Sequence, residues 1–334
     1  MARPSTGRRG RTHPDLTTGS VPRRLWSLSW PQWLENVLGV LDQLVDLFWA
    51  GRLPSGYQAI AGVGVTQTIT QFGNMARQGL DQGLRAMVAR AVGAGDIHLA
   101  NHIAQQAFTL NALYLALVVT VGWLLTDVLL MAIRVSDEVR AQTAMYMRVQ
   151  FLSMAPMALR GMTGAMLQAS GDVMTPLKAT TVARVLGVIL TPLLMFGWLG
   201  FPFYGLMGAA LANVVAQGAG AGVNIVALFR GTSRLHLTFR GYHPDFRILG
   251  RLLRIGVPAS VGGMERGVSQ IALLAIVTPF GDIALAGYAL TRRVETLANF
   301  GAMGVGNATG VMVGQNLGAG RSDRSRQSIG WGLT

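Results

Sequence analysis

Three acids, Glu35, Asp42 and Asp46, interrupt the first long apolar run of this chain. At about 100° per residue, the two steps between them rotate by roughly −20° and +40°, so the three carboxylates share one helical stripe. Gly39 lies on the same stripe, while Trp33, Val37, Leu41, Leu44 and Phe48 occupy other faces. An ionised group at the centre of a bilayer costs at least about 2.5–3.5 kcal/mol on insertion scales. Such a stripe is therefore expected to face a hydrated cavity inside a bundle. A carboxylate in a low-dielectric cavity can take up and release a proton, or it can hold Na⁺ or an organic cation. Either use suits the exchange of one cation for another. Asp46 is the leading candidate for coupling, followed by Asp42 and Glu35.

A second candidate is Glu265, about two turns into a later apolar run and after Pro258. Its neighbour Arg266 points about 100° away on a helix, so Glu265 needs another partner, a proton or a ligand. Glu295 differs, because Arg292 three residues earlier can satisfy it within the helix. Arg77 and Asp81, four apart, can pair in the same way. Asn74 and Asn299 suit interhelical hydrogen bonds or the lining of a cleft. Arg160 and Arg184 also fall inside apolar spans, where each needs an anion, a carbonyl or water. Pairing with an acid of the first helix would neutralise both partners.

The elements that must hold these groups are membrane helices. Hydrophobic residues make up 51% of the 334-residue chain and charged residues 13%, about half the charged share of a soluble protein. Apolar spans long enough to cross a hydrocarbon layer are expected at 25–51, 57–85, 103–133, 140–168, 179–200, 204–229, 255–279 and 283–313, with a ninth helix starting near Gln327. Residues 54–96 align without a gap with 279–321, matching Asn74 to Asn299, Gly79 to Gly304 and Gly93-Ala94-Gly95 to Gly318-Ala319-Gly320. The fold expected is an all-α polytopic membrane protein of two parallel-repeat six-helix bundles. A full second copy would carry the chain to roughly residue 470. The second bundle is therefore expected to be incomplete, with about eight complete transmembrane helices in all.

Apart from those inside the spans, basic residues cluster at one side, leaving only Arg52, Arg134 and Arg140 for the other. That asymmetry places the N-terminus in the cytoplasm of a cell-membrane protein. Four units are expected. Residues 1–22 form a disordered cytoplasmic tail, and 23–229 a six-helix N-lobe. Residues 230–254 form an amphipathic cytoplasmic connector, and 255–334 a partial C-lobe. The net charge of +13 is a topology signal of short arginine clusters rather than a nucleic-acid stripe. With no Cys, disulfides and thiolate metal sites are excluded. The five His lie in tails, loops or helix ends, and no nucleophile or metal-ligand spacing points to an enzyme.

Six stretches in order carry a family resemblance. They are Val45–Arg52 after the first helix, Gly93–Asp96 after the second, Gly171–Pro176 between the fourth and fifth, Gly205–Asn213 at the sixth, Ile255–Pro258 at the seventh and Gly314–Gly320 after the eighth. Together they make the chain resemble the multidrug and toxic compound extrusion (MATE) transporters of the multidrug/oligosaccharidyl-lipid/polysaccharide flippase superfamily. The resemblance implies twelve helices in two lobes around a V-shaped cleft that opens alternately to each side. It implies export of small organic cations, drugs included, in exchange for H⁺ or Na⁺, with no other cofactor. The expected partners are the lipid bilayer and cationic substrates, and the protein is expected to be a monomer. Asp46 matches the family's first-helix aspartate, linked there to coupling, and Glu265 approximates a seventh-helix glutamate found in part of the family.

This sequence departs from the family on the fifth helix, with Gly187 and Thr191 where an Asn and an Asp often stand. Losing two oxygen ligands there favours H⁺ over Na⁺ as the coupling ion. Arg77, Arg160 and Arg184 support one alternative, a lipid-linked oligosaccharide flippase of the same superfamily. The short second repeat supports another, a truncated fragment without function.

Overall fold

The computed structural model describes residues 15–53, 56–132 and 137–333. Among the described residues nine α-helices follow in order: α1 Val21–Ala50, α2 Gly56–Gly93, α3 Ile97–Ala132, α4 Asp137–Ala169, α5 Met174–Phe196, α6 Leu206–Arg230, α7 Phe246–Val277, α8 Asp282–Gly318 and α9 Ser322–Leu333. Single 3₁₀ turns follow α5 and α7. The chain is an all-α polytopic protein. Among the described residues, α3, α5 and α6 are each long and apolar enough to cross a membrane. Leu113, Leu117, Leu124 and Val128 of α3 are exposed, which suits a surface solvated by lipid.

Local chemistry sets the helix ends. Gly197 and Gly231 adopt left-handed backbone after α5 and α6, and their N–H groups close onto the carbonyls of Leu193 and Ala227. Asp172 accepts hydrogen bonds from the N–H groups of Met174 and Thr175 at the start of α5, at 3.1 and 3.0 Å. Asp245 does the same for Arg247 and Ile248 at the start of α7. Those backbone donors, the Ile248 N–H foremost, hold the Asp245 carboxyl below its usual range, with His102 adding to the effect.

Two helices run further than the hydropathy of the sequence suggests. The second span was expected to stop at residue 85, but α2 continues to Gly93 and takes Arg85 into the bundle. The surface helix expected over 230–254 begins only at Phe246, and it continues unbroken past 254 into the seventh span. Residues 231–245 are instead laid along α3. Gln106 donates to the His243 carbonyl at 2.7 Å and accepts from the Asp245 N–H at 3.0 Å. Gln105 bonds the Thr238 carbonyl, and His102 lies 3.4 Å from Asp245.

The repeat reappears as a symmetric seam where α2 crosses α8. A Cβ on Gly93 of α2 would overlap Gln315 of α8, and one on Gly318 of α8 would overlap Arg90 of α2. Arg90 and Gln315 are themselves equivalent in the repeat. Gly79 of α2 lies against Ser260 of α7, while its counterpart Gly304 of α8 lies against Ser29 and Trp33 of α1. Ser260 Oγ donates to the Ala76 carbonyl across this crossing at 2.6 Å. The largest core cluster spans the seam, joining Leu84, Val88 and Val92 of α2 to Val311 and Met312 of α8. Leu16 ahead of α1 belongs to the same cluster and is fully buried.

Candidate functional site

The acid stripe begins inside a polar centre of the first bundle. Pro31 is accommodated within α1, which carries Glu35 inward to meet α4 and α5. Gln168 Nε2 of α4 donates to Glu35 Oε2 at 2.9 Å. The Thr180 hydroxyl of α5 lies beside the Glu35 carboxylate. The same Thr180 hydroxyl accepts from Arg160 Nη1 at 2.6 Å, which brings the guanidinium, the hydroxyl and the acid into one cluster. Arg160 Nε donates to Gln217 Oε1 of α6 at 2.7 Å. Asn224 Nδ2 holds the Arg160 carbonyl at 3.1 Å.

A second ion cluster on α2 adjoins this one. Arg77 pairs with Asp81 one turn on, as the spacing predicts. Arg85 lies within electrostatic reach of both Asp81 and Glu35, and its Nε is buried with no hydrogen-bond partner among the described residues. Arg77 and Asp81 also line a recess with Leu84, Asn111, Met162 and Leu252 that has room for one water molecule. Further along α1, Arg184 of α5 approaches Gly39, its Nη2 about 4.0 Å from where a Cβ would stand. Both arginines of α4 and α5 thus approach the first helix, Arg160 near Glu35 and Arg184 at Gly39.

The other candidates stand apart from this centre. Asp42 and Asp46 belong to α1, but their side chains lie outside the described residues. Glu265 is exposed on α7, with no hydrogen bond or ion pair among the described residues. Asn74 is half-buried on α2 and Asn299 exposed on α8. Arg292 and Glu295 form the expected ion pair, at 2.7 Å. Among the described residues, no three His, Cys, Asp or Glu side chains are grouped to hold a metal ion.

Arg85, Gln168, Thr180 and Gln217 were not singled out by the sequence. Gln168 and Gln217 did carry a signal, as amides inside apolar runs. Arg85 is the last residue of the span expected over 57–85. Inside the bundle its charge is offset by Asp81 and Glu35, so the helix continues through it.

Chemically, the centre brings a carboxylate, a hydroxyl and a guanidinium into one polar cluster. A proton on Glu35 or on the Thr180 hydroxyl can be redistributed with small rotations, and Gln168 can serve either state of the acid.

Comparisons with known proteins accord with this architecture. A family model described as MatE matches residues 31–193 and 258–334. A probable multidrug resistance protein of Bacillus subtilis, YoeA, is 29% identical over 306 residues, which covers 91% of this chain and 66% of that protein. A FAD transporter of Shewanella oneidensis is 23% identical over 322 residues, covering 94% of this chain and 69% of that protein. The crystal structure of the Vibrio cholerae MATE transporter VcmN in its bent form matches with a TM-score of 0.86 at 24% identity, over 95% of this chain and 70% of that one. That likeness speaks to the fold. The chain spans about two thirds of the length of these relatives. The segments matched by the family model make up most of the sequence, and the chain belongs to the MatE family.

Proposed function

We propose that the protein is a secondary antiporter that exports organic cations in exchange for H⁺ by alternating access between its lobes. The observation that carries this reading is Glu35, an α1 carboxylate drawn into a hydrogen-bonded centre with Gln168, Thr180 and Arg160. A carboxylate so placed can alternate between protonated and ionised states as the surrounding helices shift. Asp46 and Glu265 are the coupling residues in this scheme, and Asp42, Asn74 and Asn299 belong to the substrate pathway. The glycine seam supports the alternation, since lobes that meet backbone to backbone can part without unpacking bulky side chains. Relatives named for multidrug resistance favour cationic drugs as substrates. The arginine clusters favour a cytoplasmic N-terminus in the cell membrane.

The test is transport in proteoliposomes under an imposed pH gradient. A cationic dye should move against its own gradient when protons run the other way, and Asp46→Asn should abolish that movement. Unchanged transport in Asp46→Asn would remove Asp46 from the mechanism.

A second reading is transport of an anionic ligand. Arg77, Arg85 and Arg160 inside one bundle favour it, as does the relative named as a FAD transporter. Uptake of an anionic dye or FAD by the same vesicles, in preference to a cationic dye, would select this reading.

A further inference from the structure

The first two turns of α7 carry Arg247, Arg251 and Arg254. At about 100° per residue, these positions fall within an arc of roughly 60°. All three are exposed, and none of their guanidinium groups makes a hydrogen bond or ion pair among the described residues. The opposite face, Ile248, Leu249 and Leu252, is buried and fixes the orientation of the helix. Phe246 stands at the edge of the arginine face, 81% exposed.

The depth of this face is marked on the helix itself. From Ile255 to Val261 the exposed residues of α7 are apolar, Ile255, Val257, Pro258 and Val261, before Glu265 and Arg266 follow. The change from arginine to valine within one turn is the signature of a helix leaving the headgroup layer for the acyl chains. Beside it, α6 ends at Arg230, and the connector contributes an aromatic ledge at the same end of the bundle. Phe239 lies 5.4 Å from Phe108 and 6.0 Å from Phe229, ring to ring. Tyr242 closes the ledge, its hydroxyl bonded to Thr109. Tyr242, with its amphipathic ring, is of the type that concentrates at this level of a bilayer.

We propose that the α7 face carrying Arg247, Arg251 and Arg254, with Phe246 at its edge, binds the phosphate headgroup of an anionic phospholipid. Free guanidinium forks suit phosphate oxygens, and the exposed phenyl ring suits the acyl–headgroup boundary. The site adjoins the helix pair α2–α7 that joins the two lobes. The bound lipid would therefore bear on the seam as well as on the surface.

The test is native mass spectrometry of the detergent-solubilised chain during titration with short-chain phosphatidylglycerol, and in parallel with phosphatidylcholine. The unmodified chain should retain phosphatidylglycerol in preference. A basic residue near an anionic lipid contributes roughly fivefold in affinity, so changing all three arginines to Gln should weaken binding by about 100-fold. Changing all three to Lys should keep most of the binding. Arg251→Gln alone should lose about fivefold, and it serves if the triple Gln variant does not fold. Equal retention of the two lipids by the unmodified chain would overturn the proposal. So would undiminished binding by the Gln variants. Displacement of the lipid by inorganic phosphate alone at the same concentration would also overturn it, by assigning the face to a free anion.

Discussion

Gly93 of α2 and Gln315 of α8 meet so closely that no side chain fits on the glycine. The reciprocal contact of Gly318 with Arg90 makes this a crossing of two repeat-related helices through their matching residues. Gly93→Val should therefore wedge the lobes apart at this end. Overpacking of a tight contact costs about 1–3 kcal/mol, and Gly318→Val should cost a similar amount. Gly222→Ala, within α6 and with no atom near its would-be Cβ, should instead be neutral or gain about 0.5–1 kcal/mol of helix stability. Thermal unfolding in detergent compares the three. Equal behaviour of Gly93→Val and Gly222→Ala would contradict a close-packed seam.

Arg160, which donates to the Thr180 hydroxyl, lies within electrostatic reach of Glu35. Removing one member of a buried charged network leaves the others unsatisfied and costs about 3–5 kcal/mol. Arg160→Leu and Glu35→Leu should each destabilise the protein strongly, and the double variant should cost less than the sum of the two. Thr180→Val should shrink the coupling between them. Additive losses in a double-mutant cycle would show that the two residues are independent.

The segment ahead of α1 is clasped by Arg321 and Arg324 at the start of α9. Arg324 donates to the carbonyls of Leu16, Thr18 and Gly19, and Arg321 to that of Thr17 at 2.6 Å. Leu16 fills the core beneath. Leu16→Ala should cost about 2–5 kcal/mol of whatever unfolding unit holds the strap. Arg324→Ala should speed amide hydrogen exchange across residues 16–20 while leaving α5 and α6 protected. Unchanged exchange at 16–20 in both variants would mean that the strap is held by other contacts.

Asp245 secures the start of α7. Its folded-state carboxyl is held below the usual range, first by the Ile248 N–H. A depressed acid contributes stability that is present above its unfolded value, near pH 3.9, and lost as pH falls through the folded value. Exchange protection of the first turn of α7 should therefore be flat above about pH 4 and decline below it. Asp245→Asn should remove that dependence while still capping the turn. A decline that persists in Asp245→Asn would assign it to a group other than Asp245.

Much of the fold was legible because two signals are strong in lipid. The gap-free repeat foretold the α2–α8 symmetry, and spacing alone foretold the Arg77–Asp81 and Arg292–Glu295 pairs. Hydropathy failed at Arg85 and before Ile255, for one reason in each direction. Arg85 is offset by acids from its own helix and from α1, which a one-dimensional scale does not see. The first turns of α7 are polar on one face only, so they extend a membrane helix rather than form a separate surface one. The Glu35 centre was half legible. The acid and Arg160 were visible as charges in apolar runs, but their clustering with Thr180 depends on how α4 and α5 pack together.

Coupling is tested most directly by the proton itself. A cationic substrate added to the solubilised protein in weakly buffered solution should displace H⁺, and a pH indicator should record the release. The account predicts release that saturates with substrate and disappears in Asp46→Asn. Substrate binding with no proton release, or release undiminished in Asp46→Asn, would contradict it.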